Sequence, residues 1–178
     1  MHTSNALFSS ERLNFREISI ADASWFFELN QDQDVIKFTG DTSFMSIAET
    51  KAFLEEYVKC YNKYGMGRWA ISLKSTNEIL GWCGLKKHSN SEVDLGFRIF
   101  KKHWNNGYAT EAAKASINYG FKMLNIKSIH ANHHNENKAS KKVLEKLGFQ
   151  REISFDENGK TWFRYSLIIH QRRYQSEL

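Results

Sequence analysis

The chain has 178 residues, 41% of them hydrophobic and 25% charged, with a formal net charge of +5 at pH 7. A chain of this length can bury about 70% of its unfolded surface in a single core, so one domain over residues 1–178 is expected. No apolar run approaches the ~20 residues of a membrane span, and the opening MHTSNALFSSERL lacks a secretory layout, so a cytoplasmic protein away from membranes is predicted. Apolar alternation predicts a first strand over residues 13–18, and residues 21–31, with Asp22 near the start, read as a helix. Its aromatics Trp25, Phe26 and Phe27, with Phe38 beyond, read as core. A longer helix is expected over residues 46–63, with Ile47, Phe53, Leu54, Tyr57 and Val58 on its apolar side and Gly65 and Gly67 marking its break. Residues 69–73 and 78–85 form a hairpin across Ser75, Thr76 and Asn77. There follow a strand (93–99), a helix (108–124), a strand (128–132), a helix (138–147) and two strands (150–155 and 161–168) joined by the Asn158-Gly159 turn signal. Antiparallel strands first, then strands linked through helices, give an α+β class with a mixed, mostly antiparallel sheet covered by helices. Cys60 and Cys83 read as buried or half-buried free thiols.

The chemistry concentrates in VDLGFRIFKKHWNNGYATEAAKASINYGF, residues 93–121. The strand pattern Val93, Leu95, Phe97, Ile99 runs into a polar loop and Gly107, and a helix opens directly behind. The first amides of a helix have no intrahelical partner and sit at the positive end of its dipole. A glycine at that point lets a pyrophosphate approach them. Ala109, Ala112, Ala113, Ser116 and Gly120 on one face allow the helix to lie close on the sheet. This is neither a Walker loop, since no lysine follows Gly107, nor a Gly-x-Gly-x-x-Gly turn.

The segment resembles the acyl-CoA loop of the GNAT acyltransferase superfamily, Arg/Gln-x-x-Gly-x-Gly/Ala, with Trp104, Gly107 and Ala109 in those places. Tryptophan followed by Gly-Tyr-Ala-Thr-Glu-Ala resembles the branch of the ribosomal-protein N-terminal (alanine/serine) acetyltransferases. Asn105 and Asn106 depart from the glycine and basic or polar residue usual there. A second motif, NENKASKKVLEKLGFQRE from Asn135, has the helix capped by Gly148 and the Gly-Phe ending of the same superfamily. The resemblance covers essentially the whole chain. It implies a GNAT-like three-layer α/β/α sandwich and direct transfer of an acetyl group from acetyl-CoA to a primary amine in a ternary complex. Phe97 and Ile99 would line the pantetheine. Trp104, Asn105, Asn106, Gly107, Tyr108, Ala109 and Thr110 would form the pyrophosphate loop, and Asn137 would meet the pantetheine amides. Asp94 stands where the branch commonly carries glutamate and would take the amine proton through water, with Glu92 as the fallback. Ser140 would return a proton to the CoA thiolate, because Leu144 holds the place of the tyrosine used by many members. Plainer readings stay open: Asp94 as a solvent-facing strand carboxylate, Ser140 bonded to its own helix, and Asn137 as an N-cap.

Charge is uneven. Residues 1–94 hold 10 Lys+Arg and 13 Asp+Glu, and the remainder 15 and 7, so the basic half carries the proposed cradle. His130, His133 and His134 lack a ligand set, and no metal is expected. Arg172 and Arg173 are basic, yet no RNA-binding motif accompanies them, and direct nucleic-acid binding is not expected. The expected partners are acetyl-CoA and an amine acceptor of the protein N-terminus type; a homodimer is left open. The alternatives are a polyamine or antibiotic acceptor, to which Asp32, Asp34 and Asp41 would contribute carboxylates, and a non-catalytic acyl-CoA-binding module.

Overall fold

The computed structural model describes residues 6–169; Arg172 and Arg173 lie outside them. In chain order the elements are β1 (Phe8–Ser9), β2 (Leu13–Glu17), α1 (Ala23–Gln31), α2 (Gln33–Ile36), α3 (Ile47–Tyr57), α4 (Lys59–Tyr64), β3 (Arg68–Leu73), β4 (Ile79–Lys87), β5 (Val93–Ile99), α5 (Tyr108–Lys122), β6 (Ser128–His134), α6 (Lys138–Lys146), β7 (Gln150–Glu157) and β8 (Lys160–Ile168). All eight strands join one sheet in the order β1-β2-β3-β4-β5-β6-β8-β7. Every pairing is antiparallel except that of β5 with β6. Helices cover both faces, so the architecture is the α+β sandwich that the order of elements implied.

Side-chain alternation on β5 separates the two faces. Val93, Leu95 and Ile99 are buried in the larger core with Ala112, Ala113, Ile117 and Phe121 of α5. The helix lies close because Gly120 faces the sheet: a Cβ there would stand 2.4 Å from Leu85 Cδ1. Leu144 of α6 joins this core beyond β6. On the opposite face, Ile18, Ala23, Phe26, Leu54 and Ala70 form a second cluster under α1 and α3, against which Trp82 packs. Between two such layers a mixed sheet has its apolar surface removed from water on both sides, the main source of stability here.

Three local features depart from the sequence pattern. The long helix expected over residues 46–63 is interrupted at Val58 and becomes α3 and α4. Two tyrosines four residues apart meet one residue of β3: Tyr57 Oη accepts the Arg68 N–H (2.6 Å), and Tyr61 Oη donates to the Arg68 carbonyl (2.5 Å). α2 is a four-residue turn seeded by Asp32, whose carboxylate accepts the Asp34 N–H. β1 has two residues, too few for alternation to register, and is held by pairing with β2.

What positions the site is the parallel step. Asp94 and His130 are the one registered pair between β5 and β6. Beyond it the strands part, leaving an opening that ends beside the N-terminus of α5.

Candidate active site

Between β5 and α5 the loop is held in one shape by its own side chains. Asn105 (φ 62°) and Gly107 (φ 77°) both adopt left-handed backbone. Asparagine tolerates that region better than most residues, so Asn105 supplies the turn without a second glycine. Asn106 Nδ2 donates back to the carbonyls of His103 (3.2 Å) and Trp104 (2.9 Å), and Trp104 Nε1 donates to the Ile99 carbonyl (2.8 Å). The first helical bond of α5 runs from Glu111 N–H to the Gly107 carbonyl, so the amides of Tyr108, Ala109 and Thr110 have no partner among the described residues. The space above Gly107 is open, since a Cβ there would meet only Arg12 Nη2 at 3.6 Å. Arg12 flanks this opening. Its guanidinium lies 4.5 Å from the Tyr108 ring centroid, donates to the Asn106 carbonyl (3.2 Å) and pairs with Glu111 (2.6 Å). Burial alone would raise the Glu111 carboxyl, but hydrogen bonds from Arg12 and Ser10 outweigh it and hold the group ionised. Open amides, a helix N-terminus and a guanidinium suit a pyrophosphate chemically.

At the other end of β5, Asp94 faces α1 and α3. It is paired with Arg68 and with His88, whose Nε2 lies 2.7 Å from Asp94 Oδ1. Arg68 also donates to the carbonyls of Gly84 (2.7 Å) and Asp94 (2.8 Å). Burial pushes the Asp94 carboxyl up, but the Arg68 charge and the hydrogen bonds from Arg68 and His88 prevail and keep it below the ordinary carboxylate range. Glu92 is engaged elsewhere: Arg164 of β8 binds it at 2.6 Å, and that hydrogen bond, with one from Asn90, draws its pKa down to about 2. Further along the same face Arg98 donates to Asn30 Oδ1 and to the Asp41 carboxylate. Phe97 and Ile99 point the other way, into the core shared with α5; their backbone follows the opening.

A family model described as an acetyltransferase (GNAT) domain matches residues 12–150. The chain belongs to the GNAT acetyltransferase family. It is 30% identical over 145 residues to the uncharacterised N-acetyltransferase p20 of Bacillus licheniformis, covering 80% of this chain and 82% of the relative. Among solved structures, the ribosomal-protein-S5-alanine acetyltransferase of Vibrio fischeri superposes with a TM-score of 0.76 at 20% identity, covering 90% of this chain and 95% of the other. The spermidine N-acetyltransferase of Vibrio cholerae, in complex with CoA and spermine, gives 0.75 at 19%, covering 88% and 95%. The protein is therefore a GNAT N-acetyltransferase using acetyl-CoA, and the open amides of α5 fit the role of holding the donor's pyrophosphate.

On the far side of the opening of this GNAT protein, α6 begins at Asn137. Asn137 Oδ1 accepts the Ser140 N–H (3.0 Å), so the residue caps the helix. The half-buried Ser140 hydroxyl makes no hydrogen bond among the described residues. The three histidines of β6 diverge as strand alternation requires: His133 packs on Phe163 and Tyr165 toward α6, and His134 stacks on Phe38 from the opposite face. Sequence reasoning missed Arg12, Arg68, His88 and Arg98. For the last three the signal was weak: they occupy the polar phase of β3, the β4–β5 turn and β5, where alternation predicts solvent rather than partners.

Proposed function

We propose that this acetyltransferase transfers acetyl from acetyl-CoA to the free amine of a protein N-terminus, by direct attack in a ternary complex. The observation that carries the choice of acceptor is the fate of the carboxylates a polyamine would need. Asp34 is paired with Lys101 and Asp41 with Arg98, while Asp32 accepts the Asp34 N–H at the start of α2. Asp94 is paired with Arg68, and Glu92 with Arg164. A polycation would have to displace an arginine or lysine from Asp34, Asp41, Asp94 and Glu92. Much of the acidic charge of residues 1–94, at Asp22, Asp34, Asp41, Glu78, Glu92 and Asp94, is thus already held in ion pairs.

In this reading the amides of Tyr108, Ala109 and Thr110 hold the pyrophosphate, with Trp104, Asn105, Asn106 and Gly107 fixing the loop. The backbone of Phe97 and Ile99 runs beside the pantetheine, and Asn137 approaches its amides from α6. The attacking amine must be neutral. Asp94 receives its proton through water, and the exposed His88 passes it to solvent; a carboxylate with a depressed pKa releases a proton readily but retains it poorly. Ser140, with an uncommitted hydroxyl, returns a proton to the departing thiolate. Positioning of the two substrates supplies much of the rate, so no strong base is needed. The setting is the cytoplasm, where acetyl-CoA and nascent amino termini coexist.

The test is release of CoA thiol from acetyl-CoA against free-N-terminus peptides, spermidine and an aminoglycoside. Release with peptides is the expected result. Release confined to spermidine or the aminoglycoside, or failure of every amine while acetyl-CoA still raises the melting temperature, overturns the acceptor assignment.

A further inference from the structure

The sheet face toward α1 and α3 carries buried donors for which the described residues offer no acceptor. Arg98 is 8% exposed, and both its terminal nitrogens are engaged, by Asn30 and Asp41, yet its Nε has no partner. Trp82 stands in register with Arg98 on the neighbouring strand, its ring 5.2 Å from the Arg98 guanidinium, and its indole Nε1 is likewise buried and unpartnered. Trp162 Nε1 is a third. Residues 38–41 connect these groups across the parting strands. Phe38 stacks on His134 of β6, a Cβ at Gly40 would lie 3.5 Å from the Trp162 ring, and Asp41 binds Arg98 of β5. The segment therefore reaches from one side of the opening to the other, over the donors. Buried N–H groups are almost always paired, and those that are not call for a ligand or an ordered water. Here each is a donor, so what they await is an oxygen.

We infer that Arg98 Nε and Trp82 Nε1 form an acceptor subsite that reads a carbonyl or carboxylate oxygen carried next to the amine to be acetylated. The substrate class is thus an α-aminoacyl compound, and Arg98 and Trp82 determine specificity. The inference rests on the amine-acetylation reading above and narrows it. Arg98 is placed for this by two anchors and by the Trp82 ring, which together fix the guanidinium before any substrate arrives. A plain alkylamine leaves both donors unpaired, and a polyamine brings more positive charge to a face whose carboxylates are already matched with arginines.

The experiment uses the full chain with four acceptors: an alanine-initiated peptide amide, free alanine, propylamine and spermidine. Wild type, Trp82→Phe and Arg98→Lys are compared. Trp82→Phe removes the N–H and keeps an aromatic ring beside Arg98, so it serves if Arg98→Lys fails to fold. The expected result is a KM for the aminoacyl acceptors raised roughly tenfold in Trp82→Phe, the size of one lost hydrogen bond to a buried group. The acetyl-CoA KM and the kinetics with propylamine stay unchanged. A preference for the peptide identifies the oxygen as a carbonyl, and a preference for free alanine as a carboxylate; both support the inference. Equal losses with propylamine and the peptide, no loss in either variant, or wild-type preference for spermidine overturns it. If wild type turns over none of the four while acetyl-CoA still binds, the catalytic reading fails first and the subsite with it. Turnover that ignores both variants refutes the subsite alone.

Discussion

Replacing Asp94 with alanine separates its structural work from its chemical work. The Arg68 side chain is 13% exposed, and without Asp94 its charge would keep only the carbonyls of Gly84 and residue 94. Removing one partner of a buried ion pair costs about 3–5 kcal/mol; with the Asp94 side chain 22% exposed, the lower end, about 3 kcal/mol, applies. For a domain of this size that corresponds to a melting temperature lower by roughly 6–12 °C. His88 is 45% exposed at its side chain, so His88→Ala costs less than about 1 kcal/mol, a shift of a few degrees at most. Replacing Arg68 with methionine in the Asp94→Ala background removes the stranded charge and restores part of the loss. Differential scanning calorimetry gives the stabilities, and titration of CoA gives cofactor affinity for the same samples. With stability accounted for below the melting range, Asp94→Ala lowers turnover and leaves CoA affinity nearly intact. A melting shift under about 3 °C, or a double variant less stable than the single, would refute the ion-pair argument; equal loss of turnover and CoA affinity would refute the proton-transfer role.

Two further outcomes follow from the geometry. Gly107→Val places a β-branched residue at φ 77°, a strain of roughly 1–2 kcal/mol, and puts a side chain in the open space above the helix start. The dissociation constant for CoA should rise at least 5- to 30-fold by calorimetry, and unchanged affinity would remove the loop from the cofactor site. The pH dependence of stability tests His133, whose pKa is lowered chiefly by burial. A base with a depressed folded pKa gives stability that is fully present above its unfolded value, about 6.5, and is lost as pH falls below it. Stability should therefore decline from about pH 6.5 downward, and His133→Phe should flatten that decline; a profile that keeps its slope in the variant would assign it to other groups.

The sequence reads most clearly where a backbone requirement is met by one residue type. Gly107 and Gly148 occupy left-handed positions, as their places at helix ends require, and Asn158-Gly159 turns between β7 and β8 as its dipeptide signals. The β5 pattern was legible because alternation is strict, and α5 because its small residues are spaced for one buried face. The partners of polar residues were not legible. Nothing in local sequence joins Asp94 to Arg68, 26 residues away, or Arg98 to Asn30, 68 residues away. Those contacts exist because β3, β4 and β5 lie side by side and because α1 folds over them, which is tertiary information. The break at Val58 was not legible either: helical periodicity continues through it, and the residue keeps right-handed helical backbone (φ −63°, ψ −19°).

With only Asp94 and His130 in register between β5 and β6, the sheet is in effect two panels meeting along a single hinge line. On one side β2, β3, β4 and β5 are laced together by long ladders, with the short β1 at the edge, and so are the three strands on the other. In the proposed complex, a donor lying in the widening side would touch both panels at once and act as a cross-brace. It would add to the braces the chain already has, the common core of Leu95, Ile117, Ile129 and Tyr165 and the Glu92–Arg164 pair.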